Sequence, residues 1–302
     1  MAAVMTELWQ ERPVGVVGLG LIGGSIGLDL LARGLEVRAL VHRPETAERA
    51  RARHLATRID TDPAVLRDCA LVVLALPLDR LLEPSGSLIA ALPPSAVITD
   101  VGSVKAPVLA RWGPLMPRFV ASHPMAGTAQ AGVEAGLSGL FIDRPWVATP
   151  EERTEPEALE IVRQLALTLG ARWLCCDAEE HDRAVALISH LPVLVSAALI
   201  EAADRGARRA GPGAPAVGSL ETLVRHLASS GFADTSRVGG GAPELGTLMA
   251  RCNRTAVREA LTEYRRALDS LEACVESSDW PALQQALTRT QALRPAFLEA
   301  PP

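Results

Sequence analysis

Apolar positions along the chain come first in short runs and later in long periodic stretches. Val14–Val17 and residues 36–41, 71–76, 96–100, 119–122, 146–148 and 172–175 are brief apolar runs, separated by helical patterns such as the one over 25–31. Alternation of this kind predicts an α/β fold built on a parallel, doubly wound sheet. From about residue 178 the strand-like runs stop. Residues 184–205, 216–229, 243–277 and 280–293 repeat apolar side chains at helical spacing, with Gly211-Pro212-Gly213 and Val238-Gly239-Gly240-Gly241 as breaks. The pattern therefore predicts an N-terminal tail over 1–12, an α/β domain over 13–177 and an all-helical domain over 178–302. The helices after residue 216 are rich in Ala and Leu and carry more apolar surface than a small bundle buries, which predicts a homodimer joined through them.

The first run leads directly into Gly18-Leu19-Gly20-Leu21-Ile22-Gly23, a G-x-G-x-x-G turn that opens a helix. In this setting the first glycine allows a tight turn and the second lets the backbone approach a pyrophosphate. The third lets the helix pack on the strand, and the free N–H groups of the helix start face the phosphates. Gly18, Leu19, Gly20, Leu21, Ile22 and Gly23 are thus expected to hold a dinucleotide. Leu76 and Pro77, after the run at 71–76, are expected to pass its second ribose. The second strand-like run ends in His42-Arg43-Pro44-Glu45-Thr46, with no carboxylate at the tip to accept hydrogen bonds from a ribose. Arg43, flanked by His42 and Thr46, is suited to a 2′-phosphate, so NADP is the expected cofactor.

Composition narrows the class. The formal charge is −5 over 302 residues, which leaves no basic footprint for nucleic acid, and only 3% of residues are aromatic. Five cysteines show no metal-ligand spacing, and Cys175-Cys176 read as buried thiols of a reducing cytoplasm. Residues 1–12 lack the apolar core of a signal peptide, and the apolar stretch at 191–200 is too short to cross a bilayer. The expected setting is cytoplasmic, without a membrane or a metal.

In an open α/β sheet, substrates bind beyond the carboxyl ends of the strands. Two such ends carry chemistry: Val101-Gly102-Ser103-Val104-Lys105 and His123-Pro124-Met125-Ala126-Gly127-Thr128. His123 is the best general acid/base, because imidazole titrates near neutrality, and Ser103 is placed to orient it. Lys105 fits a base, an anion contact or the exposed start of a helix. The helical half adds His181-Asp182, His190-Leu191-Pro192 and Asp234-Thr235-Ser236-Arg237-Val238. No third ligand accompanies His181 and His190 at zinc spacing. Arg237 suits a substrate carboxylate.

Taken together these motifs resemble the prephenate/arogenate dehydrogenase family. The resemblance rests on Gly18-Leu19-Gly20-Leu21-Ile22-Gly23, Asp100-Val101-Gly102-Ser103-Val104-Lys105, His123-Pro124-Met125-Ala126-Gly127, His181-Asp182, Ser189-His190-Leu191-Pro192 and Asp234-Thr235-Ser236-Arg237-Val238. It implies a Rossmann-type domain followed by a helical dimerisation domain, with His123 as the catalytic histidine and Ser103 as its partner. It also implies that Arg237, His190, His181 and Thr128 lie around the substrate. Many prephenate-using members resemble Ser-His-Leu-Pro-His, whereas Val193 stands here in place of the last histidine. That departure, with Arg43, gives the chain the look of the NADP-linked arogenate dehydrogenases of cyanobacterial type; prephenate remains the alternative substrate. The same architecture also serves hydroxyacid dehydrogenases and imine reductases, and a non-catalytic NADP-binding sensor is the alternative of another class. No lysine follows Lys105, which argues against the lysine-dependent hydroxyacid enzymes.

Overall fold

The structure, a computed structural model, describes residues 9–128, 130–208 and 219–298. The Gly211-Pro212-Gly213 break, the expected helix start at residue 216 and most of the expected N-terminal tail lie outside the described residues. The chain divides into two compact units, Met1–Arg254 and Thr255–Pro302.

In the first unit, β1 (Val14–Val17), β2 (Val37–Leu40), β3 (Arg58–Asp60), β4 (Leu71–Leu74), β5 (Val97–Asp100) and β6 (Phe119–Val120) form one sheet in the order β3-β2-β1-β4-β5-β6. Every pairing is parallel. This is the doubly wound order, in which chain direction across the sheet reverses beside β1 and leaves a crevice at the strand ends. β1, β4 and β5 are buried throughout, as expected of parallel strands covered on both faces. One layer of core, including Val14, Ile26, Leu30 and Trp146, lies on one side of the sheet; the other, including Leu66, Val72, Leu81 and Trp112, lies on the opposite side.

The run at 119–122 does not continue as one strand. After Val120 the chain leaves the large sheet, and Ser122–Pro124 becomes β7 of a second sheet with β8 (Pro145–Ala148) and β9 (Arg172–Cys175), in the order β7-β8-β9. β7 runs antiparallel to β8, with His123 opposite Val147. The switch happens because the Ser122 N–H is taken by the Asp100 side chain at 3.1 Å rather than by a neighbouring strand. β9 is the outer strand of that sheet, so Cys175 is exposed and Cys176 half-buried rather than the buried pair expected.

From Ala178 to Arg208 the backbone is helical without a break, passing through a π-helical turn at Ala186–His190. This 31-residue stretch is by length and composition apolar enough to cross a membrane, unlike the ten-residue run judged from sequence. Its inner face, however, carries buried His181, Asp182 and His190. The segment around Asp234 is a short helix, Ser230–Ser236, and the stretch expected to be one helix over 243–277 is interrupted at Asn253 between Pro243–Cys252 and Arg254–Glu276. The second unit consists of most of that latter helix and Trp280–Leu298. Leu268, Trp280, Leu287 and Phe297 there are exposed.

The glycine-opened helix Leu21–Leu31 sits so close to its surroundings that a Cβ on Gly27 would lie 2.0 Å from the Leu55 carbonyl oxygen. Gly27→Ala is therefore expected to destabilise the protein by about 1–3 kcal/mol, the usual cost of forced overpacking. Denaturant unfolding measures it, and an unchanged midpoint would contradict this close packing.

Candidate active site

The glycine turn separates packing from binding. Gly18 has φ +93°, and a Cβ there would lie 2.4 Å from the Ala75 carbonyl oxygen; on Gly23 it would lie 1.9 Å from the Gly18 carbonyl oxygen. Both glycines are required by the fold alone. Gly20 is different, because a Cβ on it would meet nothing within 4 Å. The space before it is open, and Gly20 caps the helix without any side-chain hydrogen bond. Uncapped N–H groups facing an open glycine are what a pyrophosphate needs, so the residues present fit a dinucleotide. Leu19 is buried, Leu21 and Ile22 are half-buried, and Leu76 and exposed Pro77 follow β4 beside them in the sheet.

At the end of β2, His42 and Arg43 are exposed and Thr46 half-buried. Arg43 stands at the start of helix Pro44–Ala52 and has no ion-pair partner among the described residues. The nearest strand-end carboxylate on β3, Asp60, has one oxygen taken by the Thr61 N–H at 2.8 Å and the Asp62 N–H at 3.1 Å.

The chemical centre is a chain of hydrogen bonds that ends at His123. His123 Nδ1 lies 3.0 Å from His181 Nε2, and His181 Nδ1 lies 2.8 Å from Asp182 Oδ1. Asp182 also accepts the backbone N–H groups of Lys105 at 2.7 Å and Ala106 at 3.0 Å. Those donors leave Asp182 acceptor-only, so His181 donates from Nδ1 and, when neutral, accepts at Nε2. His123 must then donate from Nδ1, which leaves a lone pair on Nε2. Burial first, then His181, Lys105 and His190, hold the His123 pKa well below its ordinary value. At neutral pH the ring is uncharged and fit to accept a proton at Nε2.

Several sequence expectations change here. Ser103 Oγ is buried without a hydrogen-bond partner among the described residues, and the group found at His123 Nδ1 is His181. His181, expected beside substrate, stands behind His123 and is 3% exposed. Lys105 is no exposed helix start; its side chain is fully buried against Asp100. Asp182 and Asn253 carry the network, and sequence reading had given neither that part. Spacing could not have flagged Asn253, 71 residues from the carbonyl it binds.

Asn253 Nδ2 donates to the Asp182 carbonyl oxygen at 2.6 Å and approaches His190 Nδ1 at 3.3 Å. The amide group must donate to both, so His190 accepts at Nδ1 and carries its hydrogen on Nε2, a buried atom with no partner among the described residues. Burial pushes the His190 pKa down to about 4, so the residue presents a neutral N–H rather than a charge. His190 closes the π-helical turn, and the helix that follows holds the Arg237 segment: Ser196 Oγ donates to the Thr235 carbonyl at 2.7 Å. Arg237 itself is exposed and begins a 3-10 turn, Arg237–Gly240. Thr128 is exposed on the loop after β7, its hydroxyl accepting the Gln130 N–H at 3.2 Å. Among the described residues no group of three metal-binding side chains comes together.

Comparison with known proteins agrees with this arrangement in order and extent. The prephenate dehydrogenase nucleotide-binding domain matches residues 26–175, and the prephenate dehydrogenase dimerization domain matches residues 177–289. The chain is similar to Synechocystis arogenate dehydrogenase, at 39% identity over 94% of this chain and 99% of that one, with a TM-score of 0.75. It is 29% identical to the cyclohexadienyl dehydrogenase of Zymomonas mobilis over 95% of this chain and 96% of that protein. With the prephenate dehydrogenase of Bacillus subtilis it shares 28% identity over 87% of this chain and 70% of that protein. With a glycine turn fit for a dinucleotide, a buried histidine chain, and both domains matched in sequence order, the chain belongs to the prephenate/arogenate dehydrogenase family.

Proposed function

We propose that the protein oxidises arogenate to tyrosine with NADP, releasing CO₂, and that His123 is the base. The observation that carries this reading is the hydrogen-bond chain from Asp182 through His181, which leaves His123 neutral with its Nε2 free. The substrate is a cyclohexadiene with a ring carboxylate opposite a carbon bearing hydrogen and hydroxyl. A dinucleotide held by its pyrophosphate at the glycine turn would supply a nicotinamide as the hydride acceptor. His123 Nε2 takes the hydroxyl proton as the ring ketone forms. The carbon–carboxylate bond then breaks, CO₂ leaves, and its electron pair completes an aromatic ring as a phenolate. His123 returns the proton to that oxygen, so atoms and charge balance without an outside acid. Asp182, through His181, stabilises the transient imidazolium.

The neutral Nε2–H of His190 and the exposed guanidinium of Arg237 are suited to the two carboxylate groups of such a substrate. Val193 in place of a further histidine favours arogenate. The names carried by the Bacillus subtilis and Zymomonas mobilis relatives keep prephenate as the second reading. Arg43, exposed and unpaired among the described residues at a strand end without a free carboxylate, supports NADP. Homodimerisation through the helices after residue 216 is supported by the matched dimerization domain and by the exposed apolar side chains of that region. A domain boundary near 177/178 and a cytoplasmic setting belong to the same reading.

NADPH formation, measured separately with arogenate and prephenate at saturating NADP, is expected to be faster with arogenate. In the same assay Arg43→Ala is expected to raise the KM for NADP and leave NAD little changed. Equal turnover with NAD and NADP in the unaltered protein would refute the cofactor assignment.

His123→Asn is expected to lower kcat by about 10²–10⁴-fold with NADP affinity retained. The base works only unprotonated, and its pKa lies below the ordinary histidine value, so activity should persist on acidification past about pH 6.5 before it falls. Near-normal kcat in the variant, or an acid limb above neutrality, would dismiss His123 as the base. Light scattering at micromolar concentration is expected to return twice the chain mass of 31.9 kDa; a monomer would remove the dimer.

A further inference from the structure

The chain contains 30 cationic Lys and Arg residues, and Lys105 is the only lysine among them. Its side chain has no solvent exposure. Nζ donates to Asp100 Oδ2 and, at 2.6 Å, to the carbonyl oxygen of Ser122. Asp100 accepts the Ser122 N–H at 3.1 Å through its other oxygen. Ser122, the residue that precedes His123, is therefore gripped at both its backbone N–H and its carbonyl oxygen by one ion pair. The Ser122 side chain is fixed as well, donating to the Asp100 carbonyl at 2.9 Å and accepting Trp146 Nε1–H at 3.0 Å.

Lys105 reaches the same histidine by a second route. Its backbone N–H binds Asp182 Oδ1 at 2.7 Å, the oxygen that also receives His181 Nδ1–H. One residue thus touches the peptide from which His123 hangs and the hydrogen-bond chain that fixes its Nδ1. A lysine suits this place better than an arginine, because a compact ammonium can meet two acceptors where a planar fork would need more room. With its identified acceptors inside the protein and no exposure, it is not placed to touch substrate. This sets aside the base and the anion contact that its sequence position also allowed.

We propose that Lys105 is the positioning residue of the site, holding His123 in register by binding Ser122 through its side chain and Asp182 through its backbone. The inference rests on the reading of His123 as the base. Burial pushes the Lys105 pKa down and the Asp100 pKa up, and each is pulled back by the other, so the two charges persist only together. The groups facing His123 are His181 and Asp182 from helix Ala178–Val185, His190 from the π-helical turn, and Lys105 with Asp100 from the end of β5. The ammonium disfavours imidazolium, so its loss should let His123 take up a proton at higher pH.

The test uses Lys105→Met and the double variant Asp100→Asn with Lys105→Met, which avoids leaving a buried carboxylate unpaired. In each, kcat with arogenate should fall about 10- to 100-fold, the scale of a small misplacement of a catalytic group, while KM values for arogenate and NADP stay within about 3-fold. The acid limb of the kcat profile, and the His123 titration followed by histidine NMR without substrate, should both move to higher pH. A folded variant with unmoved kcat and an unmoved His123 titration would overturn the proposal. If neither variant folds, Lys105→Arg, which keeps a cation but puts a planar fork in the place of the compact ammonium, decides: lowered kcat with a shifted His123 titration supports the proposal, and normal values of both overturn it. Because the NMR titration needs no turnover, a protein that oxidises neither arogenate nor prephenate would lose the proposed function while leaving this measurement intact.

Discussion

The carboxylate of Asp182 does two jobs that are usually separate. Helix Ala106–Trp112 begins at Lys105 without a side-chain cap of its own, and Asp182, from another helix, supplies the missing acceptor for its first N–H groups. An anion at a helix start is favoured by the helix dipole as well as by the hydrogen bonds. The same group orients His181. The helical segment is therefore docked on the end of β5 by the interaction that also sets the tautomers of both histidines. Any displacement of that helix would be felt at His123 as a change of proton placement, not only of position.

The second constraint is burial without neutralisation. Lys105 and Asp100 lie where neither charge could stand alone, and removing one partner of such a pair typically costs about 3–5 kcal/mol. Around them Thr99, Ser122 and Trp146 complete a polar cluster inside an otherwise apolar core. A polar cluster of this kind is tolerated because nearly every member has a partner. Of the four buried side-chain polar atoms without a hydrogen-bond partner among the described residues, Ser103 Oγ and His190 Nε2 belong to two motifs of the family resemblance, while Arg118 Nη2 and Thr149 Oγ1 do not. Unspent hydrogen-bonding capacity at a buried atom is costly, and at the first two a polar substrate could relieve it.

Much of this was legible in the chain before any coordinates. Short apolar runs fixed the doubly wound sheet because parallel strands buried on both faces must be apolar throughout, and the glycine turn announced its ligand because two of its glycines serve close packing and one does not. His123, His190 and Arg237 stood out by residue type at strand and helix ends. What could not be read was partnership. Ser103 and His123 could be paired on paper because both follow strand ends, whereas the bond from His123 Nδ1 to His181, 58 residues away, has no signal in spacing. The split of 119–122 between two sheets was hidden because Ala121 and Ser122 have nothing strand-breaking about them; the break comes from Asp100, a distant competitor for the Ser122 N–H. Cys175 looked interior because its neighbours are apolar, but apolar residues also line an outer strand.

The seclusion of the only lysine has a consequence for the rest of the molecule. Every positive side chain other than Lys105 is a guanidinium, which does not react with the acylating reagents that modify amines. The folded protein thus carries no accessible side-chain amine, while unfolding exposes one. Reaction at that single position would count molecules whose sheet has opened at the end of β5, a chemical clock for local opening located at the residue on which the site is hung.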